Sequence, residues 1–379
     1  MKTTQYKWSQ SDGWKPNLPQ GEVARQDVVF VFGARPLIQA DELMDELRRD
    51  FKGAAILGCS TSGEIVGDTV IDDSVIATAV DFEHTRLRTA STTITEATSS
   101  YEVGQELARQ LDDASLRHVF VLSDGLKVNG SDLARGLASG VSAGVSITGG
   151  LSGDSTEFAE TWVVADDGAG PQRVAAVGLY GDRLQIGYAS MGGWKPFGPV
   201  RTITRAEGNI LYELDGRSAL DLYKTYLGDH AAQLPSSALL FPIVVTEVAG
   251  GQGVVRTVLS VDEQAKSMTF AGDIPQGGTA QLMKTSVDDL VDGATAAAEA
   301  SLSGLGDTRP DLALLVSCVG RKLVMKQRIE EEVEAIRDVF GADTRIAGFY
   351  SYGELCPFEQ GGECRLHNQT MTITAFAER

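Results

Sequence analysis

Three short glycine-rich stretches in this chain run into an acid: GCSTSGE at 58–64, GGLSGD at 149–154 and GFYSYGE at 348–354. Glycine directly after a strand permits positive φ and lets a ligand approach the main chain. The hydroxyls beside it, Ser60, Thr61, Ser62, Ser152 and Ser351, are adaptable donors and acceptors. The acids that follow, Glu64, Asp154 and Glu354, would sit near the ends of buried strands. A desolvated carboxylate there must meet a backbone N–H, a basic side chain or a cationic ligand group. Tyr350 and Tyr352 flank Ser351, and Arg321 in SCVGRK lies just past the end of a strand in the same region. In a parallel arrangement, the C-terminal ends of neighbouring strands face one crevice. An acid and an arginine meeting there would hold the ammonium and carboxylate of an amino acid. The competing reading has the acids capping nearby amides, with Arg321 bridged to Glu354 and no ligand.

Other chemistry is poorly supported. There is no P-loop, dinucleotide fingerprint or G-x-S-x-G elbow. Cys356, Cys364 and His367 are a conceivable metal set, but structural zinc sites show closer ligand pairs. Cys356-Pro357 would offer a thiolate to haem, on a very unspecific motif. A thiol hydrolase would use Cys59 or Cys318, and needs a low thiol pKa. No spacing argument supports a Cys59–His367 dyad. The chain is therefore read as a non-enzyme with no metal.

The elements that would position the turns repeat along the chain. DVVFVFGA (27–34) predicts a buried strand, and Leu43, Leu47 and Phe51 fall on one face of the helix that follows. AAILGCSTSGEI and SVIATAVDFE read as the next two strands. HVFVLSDG, a helix over 131–141 capped by Ser131, SITGGLSGD and RVAAVGLYG repeat the order. DLALLVSCVG, a helix over 324–340, RIAGFYSYGEL and a closing strand over 367–378 repeat it again. The expected fold is α/β, with mixed sheets built from repeated strand-helix-strand-strand units. Residues 1–26, with Trp8 and Trp14, read as an extended arm whose tryptophans pack on the body. Domains are expected at 27–182 and 183–379, with the first and last units packed about a pseudo-symmetric axis. Ser286 and Asp289 form a plausible capping box for an alanine-rich helix (285–303).

Composition narrows the partners. Fifty-two acids against 33 bases give a formal charge of −19 over 379 residues. Such a surface repels phosphates and anionic lipid, so neither nucleic acid nor bare membrane is expected. No window approaches the ~18 apolar residues of a membrane span, and the N-terminus lacks an apolar signal core. The expected location is the cytoplasm, with all four cysteines reduced rather than Cys356 bridged to Cys364.

GCSTSGEI, SCVGRK, GFYSYGEL and LHNQTMTITAF resemble the two FIST modules, FIST N and FIST C, of F-box and intracellular signal transduction proteins. The resemblance runs from about residue 27 to 378. It implies a sensory small-ligand-binding protein of bacterial signal transduction, with an amino acid as the candidate ligand. The signal would pass to a separate histidine kinase, cyclase or chemoreceptor. The ligand-binding set comprises Thr61, Ser62, Glu64, Ser152, Asp154, Arg321, Tyr350, Tyr352 and Glu354, joined by His367 and Asn368 of the LHNQT motif. No cofactor is expected. The alternative implied by the resemblance is a haem-based nitric-oxide sensor of NosP type, with His367 as axial ligand.

Overall fold

The computed structural model describes residues 1–19, 26–95, 98–234 and 236–379. Three α/β units carry the turns. In the first, Val28–Ala34 pairs in parallel with Ala55–Thr61 through helix Asp41–Asp50, and Val75–Asp81 lies antiparallel on the other side. In the second, Leu116–Ser123, helix Gly130–Gly140, Ser146–Leu151 and Arg173–Tyr180 take the same places. Leu312–Cys318, helix Glu330–Phe340, Arg345–Ser351 and Met371–Glu378 do so in the third. The central strands are covered on both faces, which is why they read as unbroken apolar runs.

The units are joined by strand exchange. Glu64–Val66, following the first turn, pairs with Arg345–Ser351 of the third unit. Gly353–Pro357, following the third turn, pairs with Ser146–Leu151 of the second. Val163–Ala165, downstream of the second turn, pairs with Ala55–Thr61 of the first. Each unit thus lends a strand to a neighbour, and the three loans close a ring. The pseudo-symmetry expected between first and last units takes in the middle one as well. Inside the ring the sheets share a core that includes Phe30, Phe32, Phe120, Phe349 and Phe376. Phe30 meets Phe120 edge-on at 5.7 Å, and Phe32 lies 4.8 Å from Phe349 between centroids.

Several expectations are corrected in detail. The N-terminal arm is a β-hairpin: Lys2–Ser9 pairs with Gly13–Lys15 and with Val75–Asp81 of the first sheet. Trp14 is buried there and donates to Glu46 at 3.1 Å. The second helix is capped by Asn129 rather than Ser131, because Asn129 Oδ1 accepts from the amides of Ser131 and Asp132. The helix expected over 324–340 is broken, since Lys326 has φ +52° and separates Val319–Met325 from Glu330–Phe340. The closing strand begins at Met371 rather than 367, because Gln369 has φ +65° and turns the chain out of Cys364–His367. The Ser286–Asp289 capping box is present on helix Val287–Leu302.

Residues 195–284 add a separate antiparallel sheet with helix Ala219–Leu227 packed on it, around Ile203, Tyr223, Met268 and Phe270. This sheet brings Val254–Arg256 against Cys364–His367 of the third unit. No helix among the described residues is long and apolar enough to cross a membrane.

Candidate functional site

The three turns meet at the centre of the ring and bond to one another. Ser62 N donates to Tyr350 O (2.8 Å) and Tyr350 N to Gly63 O (2.9 Å). Gly153 N donates to Ser60 O (2.9 Å), while Ser60 Oγ donates to Gly153 O (2.7 Å). Tyr352 N donates to Leu151 O at 3.1 Å. The turns therefore come together, as a closely bonded junction rather than around a crevice: Glu64, Asp154, Glu354 and Arg321 line neither of the cavities described below.

Two of the turns use one device. Thr61 Oγ1 donates to Glu64 Oε1 at 2.5 Å, and Ser351 Oγ donates to Glu354 Oε1 at 2.6 Å. A second hydroxyl serves the other oxygen, Ser74 for Glu64 (2.6 Å) and Thr370 for Glu354 (2.9 Å). Both acids are buried. Burial outweighs these bonds and pushes Glu64 up to about 7 and Glu354 up to about 8.

The middle turn is one residue shorter, and its acid does different work. Asp154 accepts from the amides of Phe158, Ala159 and Glu160, each at 2.9 Å, and from Arg35 at 3.1 Å. It also accepts from Tyr352 Oη, whose ring stacks on Phe158 at 4.5 Å. Ser152 Oγ donates to Ser123 O at 2.8 Å, and Ser62 Oγ to Ser155 O at 2.9 Å.

Arg321 does not bridge to Glu354. It is fully buried and donates to Glu332 through Nε (2.9 Å) and Nη2 (2.6 Å), to Gly192 O and to Leu290 O. Tyr350 Oη donates to Glu332 Oε1 at 2.7 Å. Asn368 donates to His367 O at 2.9 Å. His367 lies buried beside Phe358, with Nε2 2.9 Å from Cys356 O, and burial lowers it to about 4. The carbonyl accepts from Nε2–H and leaves Nδ1 unprotonated, but His367 lines neither of the cavities described below, so no space for a haem is found against it. No group of three or more His, Cys, Asp or Glu suited to a metal occurs among the described residues. All four cysteines are unbridged and buried.

An open space lies beside this junction. A cleft of about 830 Å³ has helix Gly130–Gly140 on one side, the sheet of residues 195–284 on the other and Cys364–Leu366 beneath. Its polar walls include Arg135, Glu247, Arg256, Asp273, Glu363 and Arg365. Arg135 pairs with Asp273 at 2.8 Å and Arg365 with Glu247 at 3.0 Å. A smaller cavity of about 110 Å³ shares the wall residue Leu366 with it. Tyr352 and Asn368 of the predicted set line this smaller cavity, with Asn129 and Phe158. The cleft arginines were missed in the sequence. The available signal was Arg256 itself, a charged residue inside the apolar strand run VVRTVL.

The structure thus defines a mixed α/β protein of two modules, with a ligand-sized cleft between the second unit and the inserted sheet. Residues 27–217 match the FIST N domain and residues 219–357 the FIST C domain, so the chain belongs to the FIST family. FIST domains are associated with signal transduction and small-ligand sensing. An uncharacterized protein of Mycobacterium tuberculosis is 25% identical over 362 residues, covering 90% of this chain and 88% of the relative. An uncharacterized protein of Methanocaldococcus jannaschii is 22% identical over 348 residues, covering 83% of this chain and 64% of the relative. The crystal structure of a cyanuric acid hydrolase from A. caulinodans aligns with a TM-score of 0.41 at 10% identity, over 100% of this chain and 99% of that one. A likeness that distant bears on neither chemistry nor substrate.

Proposed function

We propose that this protein is a cytoplasmic small-ligand sensor of bacterial signal transduction. Its ligand is an amino acid, and its signal passes to a separate histidine kinase, cyclase or chemoreceptor. The single observation that supports this reading is the cleft of about 830 Å³, whose walls come from the N-terminal half and the C-terminal half of the chain. A ligand touching both walls biases their relative placement, and a differential contact of that kind is what a sensor needs. Its size suits a small molecule rather than a polymer. We place the modules at 27–182 and 183–379, with 1–26 as an N-terminal arm whose strands Lys2–Ser9 and Gly13–Lys15 lie on the first and whose residues 20–25 are outside the described residues.

The predicted residues divide by position. Tyr352 and Asn368 border the cavity adjoining the cleft and are the members of the set best placed to meet a ligand. We assign Thr61, Ser62, Glu64, Ser152, Asp154, Arg321, Tyr350, Glu354 and His367 to holding the junction behind it. Their polar groups are engaged within the protein.

The test is extraction and mass spectrometry of any molecule that copurifies, followed by thermal-shift titration with amino acids. A ligand at a hundred times its dissociation constant should add about 2.7 kcal/mol of stability. Failure to find any small molecule that shifts the melting transition, from cell extract or from the amino-acid set, would sink the sensor reading.

A further inference from the structure

Arg256 differs from the other arginines of the cleft. It is 6% exposed, yet no carboxylate among the described residues lies within ion-pair distance of its guanidinium. Backbone carbonyls hold it instead: Nε donates to Asp273 O (3.1 Å), and Nη1 to Leu366 O (3.0 Å) and Val255 O (3.3 Å). A guanidinium has five N–H groups, and those on Nη2 have no protein acceptor among the described residues. Nη2 is not among the side-chain atoms sealed from solvent without a partner, so solvent reaches it, and Arg256 is a wall residue of the cleft. The one nearby acid whose charge acts on it, Asp273, is committed to Arg135 (2.8 Å) and Asn129 (3.0 Å). The backbone also makes room for this side chain. Gly272 has φ +123°, and a Cβ there would lie 2.8 Å from Nε and 3.0 Å from Cζ.

We propose that Arg256 anchors the ligand of this cleft by receiving its carboxylate on Nη2. The inference rests on the sensor reading and adds the residue that recognises the ligand's carboxylate. A buried cation with no counter-ion costs several kcal/mol, and an incoming anion offsets that cost. A charge-assisted hydrogen bond from a preorganised guanidinium is also among the stronger polar contacts. Glu247, Glu363 and Asp273 on the same walls argue for a single negative charge, because a phosphate dianion would face all three. Glu363, which is in no ion pair among the described residues, would receive an ammonium group on the ligand.

The test titrates the full chain, by calorimetry and thermal shift, with the standard amino acids, each beside its carboxamide. Acetate, pyruvate and inorganic phosphate serve as further probes. At least one carboxylate should bind, with its carboxamide and phosphate at least tenfold weaker. Arg256→Gln should weaken that carboxylate roughly ten- to a hundredfold, and Arg256→Lys should restore part of the loss. The anchor is overturned by a carboxamide that binds as well as its acid, by Arg256→Gln binding like the parent, or by no carboxylate binding at millimolar concentration. If Arg256→Gln does not fold, the acid–carboxamide comparison on the parent decides alone. Ala138→Trp, at a partly buried position on the cleft wall, narrows the cleft and separates the two readings. A ligand lost in Ala138→Trp but kept in Arg256→Gln removes the anchor and leaves the sensor standing.

Discussion

Arg321 and Glu332 meet where solvent reaches neither side chain, with Nη2 2.6 Å from Oε2 and Nε 2.9 Å from the same oxygen. The other carboxylate oxygen accepts from Tyr350 Oη and from Ser317 Oγ. The arginine also ties down Gly192 O and Leu290 O, so one ion pair joins the third unit to the alanine-rich helix. The meeting of Arg321 with a turn acid expected from the sequence does not occur: its partner is Glu332 of helix Glu330–Phe340, and the pair is a brace.

Glu332→Gln would leave that guanidinium buried without a carboxylate. Removing one partner of a buried pair typically costs about 3–5 kcal/mol. Urea unfolding should show a loss of that order, with the midpoint moved and the slope kept. A loss below about 1 kcal/mol would mean that the pair does not brace the fold.

The raised carboxyls set a pH dependence whose sign can be worked out. Glu64 and Glu354 ordinarily titrate at 4.5 and are pushed by burial to about 7 and about 8 in the folded chain. The folded state therefore holds these protons more tightly than the unfolded state. Their contribution is complete below 4.5 and is lost as pH rises through 7 and 8. His118 and His367 act oppositely, since burial lowers them from 6.5 to about 3 and about 4. Their contribution is present above 6.5 and lost as pH falls. The carboxyl effect is therefore cleanest between roughly pH 6.5 and 8.5, where stability should decline by up to ~1.4 kcal/mol per pH unit for each titrating group. Glu354→Gln should flatten the decline. Ser351 can still donate to Ser317 O, 3.2 Å away, while accepting from the new amide. Equal slopes in parent and variant would remove Glu354 as the source.

How far these features could be read in advance depends on how local their causes are. The strand Val28–Ala34 and the face of Leu43 and Leu47 follow from short-range pattern, and so does the Ser286–Asp289 cap. The kinship of the turns at Thr61 and Ser351 is equally local, because hydroxyl and acid sit three residues apart in both. The exchange of strands is not local. Glu64–Val66 pairs with residues 347–349, and nothing in its own composition names that partner. Arg321 finds Glu332 across a break at Lys326 that periodicity alone does not reveal. Arg256 was legible as a strand residue only. Its setting depends on carbonyls at Asp273 and Leu366, and Leu366 is 110 residues away along the chain.

The thiols should be inert in the folded state. Cys59 and Cys318 are buried, and burial raises both above the ordinary thiol value, with Glu64 and Glu354 respectively adding to the effect. Only the thiolate attacks an alkylating agent. Iodoacetamide at neutral pH should therefore modify native protein far more slowly than free cysteine, and all four thiols should react once denaturant is added. Native-state alkylation of either residue at the free-cysteine rate would reopen thiol-dependent hydrolysis.

Gly153 tests how tightly the turns are locked. A Cβ at this position would lie 2.4 Å from Ser62 Oγ, 3.1 Å from Ser62 N and 3.3 Å from Tyr350 O, touching all the turns at once. Rotating Ser62 would relieve the first contact, at the expense of its bond to Ser155 O. The backbone contacts would remain, because Ser62 N is itself bonded to Tyr350 O. Gly153→Ala should destabilise by about 1–3 kcal/mol, the usual range for one extra carbon in a filled interior. Adding Ser62→Ala should recover part of that loss by removing the nearest atom, which a defect confined to the conformation of residue 153 would not allow. Urea midpoints for the two single variants and the double variant would decide. A Gly153→Ala midpoint equal to the parent's would mean that the junction has room to spare.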